Sequence, residues 1–209
     1  MCHFAQQERR SLCDLFSRVG PDAPTLCEGW SAADLAAHLV VRERRPDAAP
    51  GIVVPALAGY TERVQRRVRD SMTWEALVDT VRRGPPFPLR LHLIDEPMNT
   101  AEYFVHHEDV RRAGDGAEPR VLDPGLERLL WSRVRLMALV ARRAAPCGLR
   151  LVAPGSGSVT VRDASPAVTM TGRPGELLLF LFGRTSVADV ELSGDDGAVE
   201  QVRRAKFGF

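Results

Sequence analysis

Asn99 to Val110, reading NTAEYFVHHEDV, is the stretch on which the fold of this chain turns. Glu102 and His106 stand four apart. On a helix that spacing puts both side chains on one face, one turn from each other. Asp109 falls on the same strip, and Tyr103, Val105 and Val110 flank it, so polar groups run down the middle of an apolar arc. A strip of that kind points into a core, where a carboxylate and an imidazole must find partners or a metal. We read Glu102 and His106 as ligands of a divalent metal, with His38 from a distant helix as the third.

Working outward, the best helix start in the chain is Ser31-Ala32-Ala33-Asp34, a capping box with Trp30 and Leu35 placed to form a hydrophobic staple. It opens a helix that carries His38 one turn after the cap and ends near Arg45, before Pro46. Phe4 to Val19 predicts an earlier helix, stopped by Gly20-Pro21, and a loop follows to Gly29. Further helices are expected after Pro55 and from about Thr73. Gly84 to Pro88 breaks the chain, and Leu89 to Asp95 has no clear period. Asn99 then reads as the N-cap of the site helix, which ends near Ala113-Gly114. Asp123-Pro124 opens the last long helix, and Pro146 ends it.

Beyond Pro146 the pattern changes. Gly148 to Pro154, Ser158 to Asp163 and Ala167 to Thr171 read as strands in hairpins. Pro174 to Phe182 predicts an apolar helix, Val187 to Leu192 a strand and Ala198 to Lys206 a last helix. The expected organisation is an all-α bundle over 1–146 and a small α+β domain over 147–209.

Three ligands from two helices, two His and one carboxylate, suit Zn²⁺, Fe²⁺ or Ni²⁺ and leave positions open for water or substrate. A helical bundle is a natural host for such a site. Asp109 is a partner that could orient an imidazole from behind. Other readings stand beside this one. Asn99-Thr100-Ala101-Glu102 is itself a capping-box pattern, so Glu102 could close a cap. His106 could be a core histidine bonded to Asp109 or to a carbonyl, and His38 could be structural. His107 points about 100° away from His106, toward solvent. His3 and His92 have no partner at ligand spacing. Arg42 and Arg45 share the His38 side of their helix; Arg42 could bind an acidic substrate, and Arg45 belongs to a solvated face.

The totals bound the function. The chain has 209 residues, 44% hydrophobic and 26% charged, enough for a real core without disulfides. A formal net charge of +1 argues against a nucleic-acid binder. No run is long and apolar enough for a membrane span, and MCHFAQQERR lacks the apolar segment of a signal peptide. Cys2, Cys13, Cys27 and Cys147 are scattered without a C-x-x-C pair, as expected of free thiols in a reducing cytoplasm. None of them is expected beside the ligands.

Trp30 to Leu39 (WSAADLAAHL) and Glu102 to Asp109 (EYFVHHED) together resemble the DinB-like metal-binding bundles, more specifically the mycothiol-dependent maleylpyruvate isomerase superfamily. Gly172 to Arg184 (GRPGELLLFLFGR) resembles the small α/β domain that often follows the bundle there. The resemblance implies a four-helix bundle with zinc or another divalent ion on His38, Glu102 and His106. It also implies mycothiol or a related small thiol as cosubstrate, and a small acidic or electrophilic substrate. An arginine of the C-terminal domain holds the acid in that isomerase, and Arg184 is the matching position; its plain role is a cation at a helix C-terminus. The implied activities are isomerase or thiol S-transferase. The rival is a non-catalytic, metal-stabilised module whose second domain, resembling sterol-carrier-like domains, binds a small apolar ligand or a protein.

Overall fold

The structure, a computed structural model, describes residues 3–89, 91–114 and 118–208, without the side chains at 92–94 and 97. It divides into two compact units, Met1–Ala117 and Glu118–Phe209. The coarse expectation of helices followed by a small mixed sheet holds: the described residues form eight α-helices and one four-stranded sheet. No helix among them is long and apolar enough to cross a membrane.

The first unit contains helices α1 (Phe4–Val19), α2 (Ala32–Arg44), α3 (Ala58–Asp70), α4 (Trp74–Arg83) and α5 (His92–Arg111). That is five helices where a four-helix bundle was expected. Helix α1 packs on α4 and α5, and α2 packs on α3 and α4. Leu12, Phe16, Leu35, Leu39, Leu77 and Val81 meet in its core. The capping box of α2 is formed: the Ser31 N–H donates to Asp34 Oδ2 at 3.1 Å, and the Asp34 N–H donates back to Ser31 Oγ at 3.4 Å. Arg69 reaches from α3 to Asp34 Oδ1 at 2.7 Å, which ties the α2 start to its neighbour.

Helix α5 starts at His92, seven residues before the expected cap at Asn99. Asn99 lies inside the helix and donates to Asp95 Oδ1 at 2.6 Å, so the capping reading of Glu102 falls away. Residues 103 to 110 are buried all round the helix, polar ones included. Burial of this kind is tolerated only when each polar group is bonded. Tyr103 donates to Glu43 at 2.9 Å, His107 Nδ1 lies 2.9 Å from Glu8 Oε2, and Glu108 is held by Arg111 and Arg112.

One cation joins three helices. Arg9 of α1 donates to Asp95 of α5 at 2.6 and 3.1 Å and to Glu43 of α2 at 3.0 Å, and its guanidinium lies over the Tyr103 ring. This buried knot fixes α2 against α5, the two helices that carry the candidate ligands.

The second unit holds α6 (Pro124–Ala141), β1 (Gly148–Ala153), β2 (Gly157–Arg162), β3 (Ala167–Gly172), α7 (Pro174–Leu181), β4 (Val190–Gly194) and α8 (Asp196–Arg204). Helix α6 belongs here and not with the first unit: it packs on α7 and β2. The division therefore falls at 117/118, upstream of the proline that marked it in the sequence. The sheet order is β2-β1-β3-β4. Only β1 and β2 make a hairpin; β3 crosses to the other side of β1 and runs parallel to it, and β4 is antiparallel to β3. Gly148 is where the chain crowds, since a Cβ there would lie 2.0 Å from the Ala164 carbonyl oxygen.

Candidate metal centre

The α2 capping box sets the rotation of that helix, and one turn later His38 points inward with only 7% of its surface exposed. Trp30, the staple residue, lies against the His38 ring with centroids 5.1 Å apart. From the other side comes α5. The His38 and His106 rings meet edge to face at 5.4 Å. Glu102 Oε1 lies 3.2 Å from His106 Nε2 and 3.7 Å from His38 Nε2. These three ligand atoms converge within 4.8 Å of one another. Neighbouring ligand atoms in a tetrahedral zinc site with bonds of about 2.1 Å stand about 3.4 Å apart. The donor set fits a divalent ion, and the two distances to Glu102 come within a few tenths of an ångström of that spacing.

Asp109 lies behind His106, fully buried, with Oδ2 2.9 Å from Nδ1. A carboxylate there accepts the Nδ1 proton, and with an ion bound it would keep that proton in place and leave the Nε2 lone pair for the ion. The same Oδ2 accepts from the Cys27 thiol at 3.2 Å. The expectation that no cysteine stands beside the ligands is thus overturned. The cause is a loop the sequence left blank. The Leu26 N–H donates to the Asp109 carbonyl at 3.0 Å, and the Thr25 hydroxyl donates to the Trp30 carbonyl at 2.9 Å. Those bonds pin residues 25–30 against α5 and bring Cys27 and Trp30 to the site. The only signal in the sequence is that Cys27 stands three residues before the staple tryptophan.

The electrostatics favour the ligating form at His38 and Glu102 and oppose it at His106, whose proton an incoming ion must displace. Burial pushes the His38 pKa down, and the nearby His106 and Arg42 charges add to that, outweighing Glu102. His38 is a neutral imidazole near neutral pH, the form that ligates. Burial disfavours the charge on Glu102, yet bonds from His106 and His38, with the His106 and Arg42 charges, hold its carboxyl well below the usual range. Burial likewise opposes a charged His106, and Asp109, Cys27 and Glu102 overcome it and hold its pKa well above the ordinary value.

Arg42 reaches the site but is committed there. Its Nε lies 3.2 Å from Glu102 Oε1, and its terminal nitrogens donate to Asn99 Oδ1 and to the Met98 carbonyl, the latter at 3.1 Å. Arg45 turns away to Asp47 at 2.7 Å. Arg184 belongs to the second unit, where its guanidinium donates to the Phe182 carbonyl at the end of α7 at 2.6 Å. His107 is buried against Glu8, not solvent-facing, because α1 covers that side of α5. His3 is exposed, and the side chain of His92 lies outside the described residues.

Against this geometry, comparisons of the chain with known protein families, with curated proteins and with solved structures find no match.

Proposed function

We propose that the first unit is a DinB-like module holding a divalent ion, zinc before nickel or iron, on His38, Glu102 and His106. We further propose that it works with a low-molecular-weight thiol, mycothiol in the family it resembles, as an isomerase of the maleylpyruvate isomerase type or a thiol S-transferase. The observation that carries the reading is the convergence of two imidazole Nε2 atoms and one carboxylate oxygen, with Asp109 behind His106. An ion bound there supplies Lewis acidity and lowers the pKa of a thiol, giving the reactive thiolate.

The residues of the chain divide the remaining work. Asp109 holds the Nδ1 proton of His106. Trp30 shields the His38 ring from water. Arg42 adds to the histidine bonds that keep Glu102 ionised and puts a cation beside the ligands, where an acidic substrate gains from it. Cys27 lies on the Nδ1 side of His106, away from Nε2, so the reacting thiol comes from outside the chain.

Titration calorimetry with mycothiol tests this. Zinc-loaded wild type should bind the thiol, and the metal-stripped protein and His106→Ala should not. Thiol binding that is equal with and without zinc refutes the thiol half of the reading. Zinc bound without any thiol affinity transfers the site to the role of a non-catalytic, metal-stabilised module.

A further inference from the structure

His106 is flanked by carboxylates on both ring nitrogens. Glu102 Oε1 lies 3.2 Å from Nε2, and Asp109 Oδ2 lies 2.9 Å from Nδ1. Each side also has a further ligand type. On the Nε2 side it is the His38 imidazole; on the Nδ1 side it is the Cys27 thiol, 3.2 Å from the same Asp109 oxygen. The Cys27, His106 and Asp109 ligand atoms all lie within 4.8 Å of one another, the same convergence as in the first group.

We propose that Cys27 Sγ, His106 Nδ1 and Asp109 Oδ2 form a second cation seat, one that takes thiophilic ions such as Cd²⁺ or Cu⁺ and excludes an ion from the first. The chemistry of the donors sets the preference. The first seat offers two nitrogens and an oxygen, suited to borderline ions. The second offers a thiolate, which favours soft ions. Exclusion follows from the shared ring. An ion on Nε2 needs the proton on Nδ1, where Asp109 accepts it. An ion on Nδ1 needs the proton on Nε2, where Glu102 accepts it. Both tautomers therefore have an acceptor already in place, and the ring serves one seat at a time. Cys27 gives up its proton to solvent when the ion binds, as any thiolate ligand must.

The seat is built, not accidental. His106 and Asp109 stand three apart on α5. Cys27 is held on its loop by its own N–H to Thr25 Oγ1 at 3.2 Å and by the neighbouring Leu26 to Asp109 backbone bond. At zinc bond lengths tetrahedral spacing is about 3.6 Å for a sulfur and an oxygen ligand and about 3.4 Å for a nitrogen and an oxygen, and the larger Cd²⁺ needs more. The 3.2 Å gap from Cys27 to Asp109 opens through the loop, and the 2.9 Å gap from His106 to Asp109 through side-chain rotation on α5. Cys27 is partly exposed, whereas Cys13 and Cys147 are buried.

That the two seats compete rests on the proposed role of His38, Glu102 and His106; the second seat itself does not. Cadmium titration, followed by the ultraviolet thiolate-to-cadmium charge-transfer band, separates the two. Wild type and His38→Ala should both develop the band, saturating at one ion per chain. Cys27→Ser should lose the band while keeping its zinc content, which shows that it is folded. Zinc loaded first should suppress the band in wild type. The second seat is overturned by absence of the band in wild type, by its survival in Cys27→Ser, or by its loss in His38→Ala. Simultaneous retention of zinc and cadmium by one chain overturns the exclusion. Equal zinc content in wild type and His38→Ala would instead count against the first seat and leave the cadmium result to stand on its own.

Discussion

Replacing Arg9 by methionine should destabilise the first unit severely, and the structure sets the size. Arg9 and its partners are almost dry: the side chains of Arg9, Glu43 and Asp95 keep 5%, 3% and 10% of their exposure. At a surface such pairs are worth under about 1 kcal/mol, but removing one partner of a buried set leaves the others as uncompensated charges, at a cost of about 3–5 kcal/mol. For a chain of this size that is a fall in Tm of roughly 6–20 °C. The deficit must also depend on pH. Burial already raises the Glu43 pKa from its ordinary value of 4.5, and the Arg9 charge is the leading influence against it. A carboxylate whose folded pKa lies above its unfolded one contributes no penalty below the unfolded value. It destabilises progressively as pH rises through the folded value. Without Arg9 that folded value moves higher still. Urea denaturation of wild type and Arg9→Met should therefore show the smallest gap near pH 4 and a widening gap toward neutrality. Adding Glu43→Gln and Asp95→Asn to Arg9→Met should recover part of the loss, because the stranded charges are gone. A deficit below about 1 kcal/mol at pH 7, on the scale of a surface pair, would refute the view that this knot holds α2 against α5. A gap that narrows with rising pH would do the same.

Three further outcomes are expected. Asp109→Asn should weaken zinc binding about 10- to 100-fold while His38, Glu102 and His106 all remain, the scale for losing the group that orients a ligating histidine; competition with a chelating dye reads it, and an unchanged affinity removes Asp109 from the site. Ser31→Ala should cost about 1 kcal/mol by removing the acceptor for the Asp34 N–H, measured by denaturant midpoint; no loss would mean that Trp30 packing alone sets the α2 start. Chelation should lower thermal stability by an amount that grows with the prior zinc excess, about 2.7 kcal/mol at one hundred times Kd, and His38→Ala should lose that metal-dependent increment; equal increments in the two proteins would mean that the ion binds elsewhere.

The sequence carried the site better than its surroundings. The α2 start was legible because the capping box is local: Ser31 and Asp34 are three residues apart and need no other element. The strip of Glu102, His106 and Asp109 was legible because helical periodicity is also local. The beginning of α5 was not, since Leu89 to Asp95 has no clear apolar period and Asn99 imitates a cap. His107 looked solvent-facing because its partner, Glu8, lies on a helix far away in sequence. Cys27 was missed because a backbone bond from Leu26 to Asp109, invisible in any spacing, sets its position. The parallel pairing of β3 with β1 was hidden for a related reason: turn residues between β2 and β3 predict a hairpin, and only packing sends β3 to the other side. Pro146 is a stronger local break than the segment before α6, yet packing on α7 and β2 assigns α6 to the second unit.

We propose that α2 and α5 together hold one divalent ion. Elemental analysis of purified wild type beside His38→Ala, Glu102→Gln and His106→Ala, each loaded with zinc and desalted, tests it most directly. Wild type should retain one zinc per chain and each variant should lose most of it, with far-UV circular dichroism unchanged. Equal zinc in wild type and His106→Ala would mean that the ion does not bind between α2 and α5.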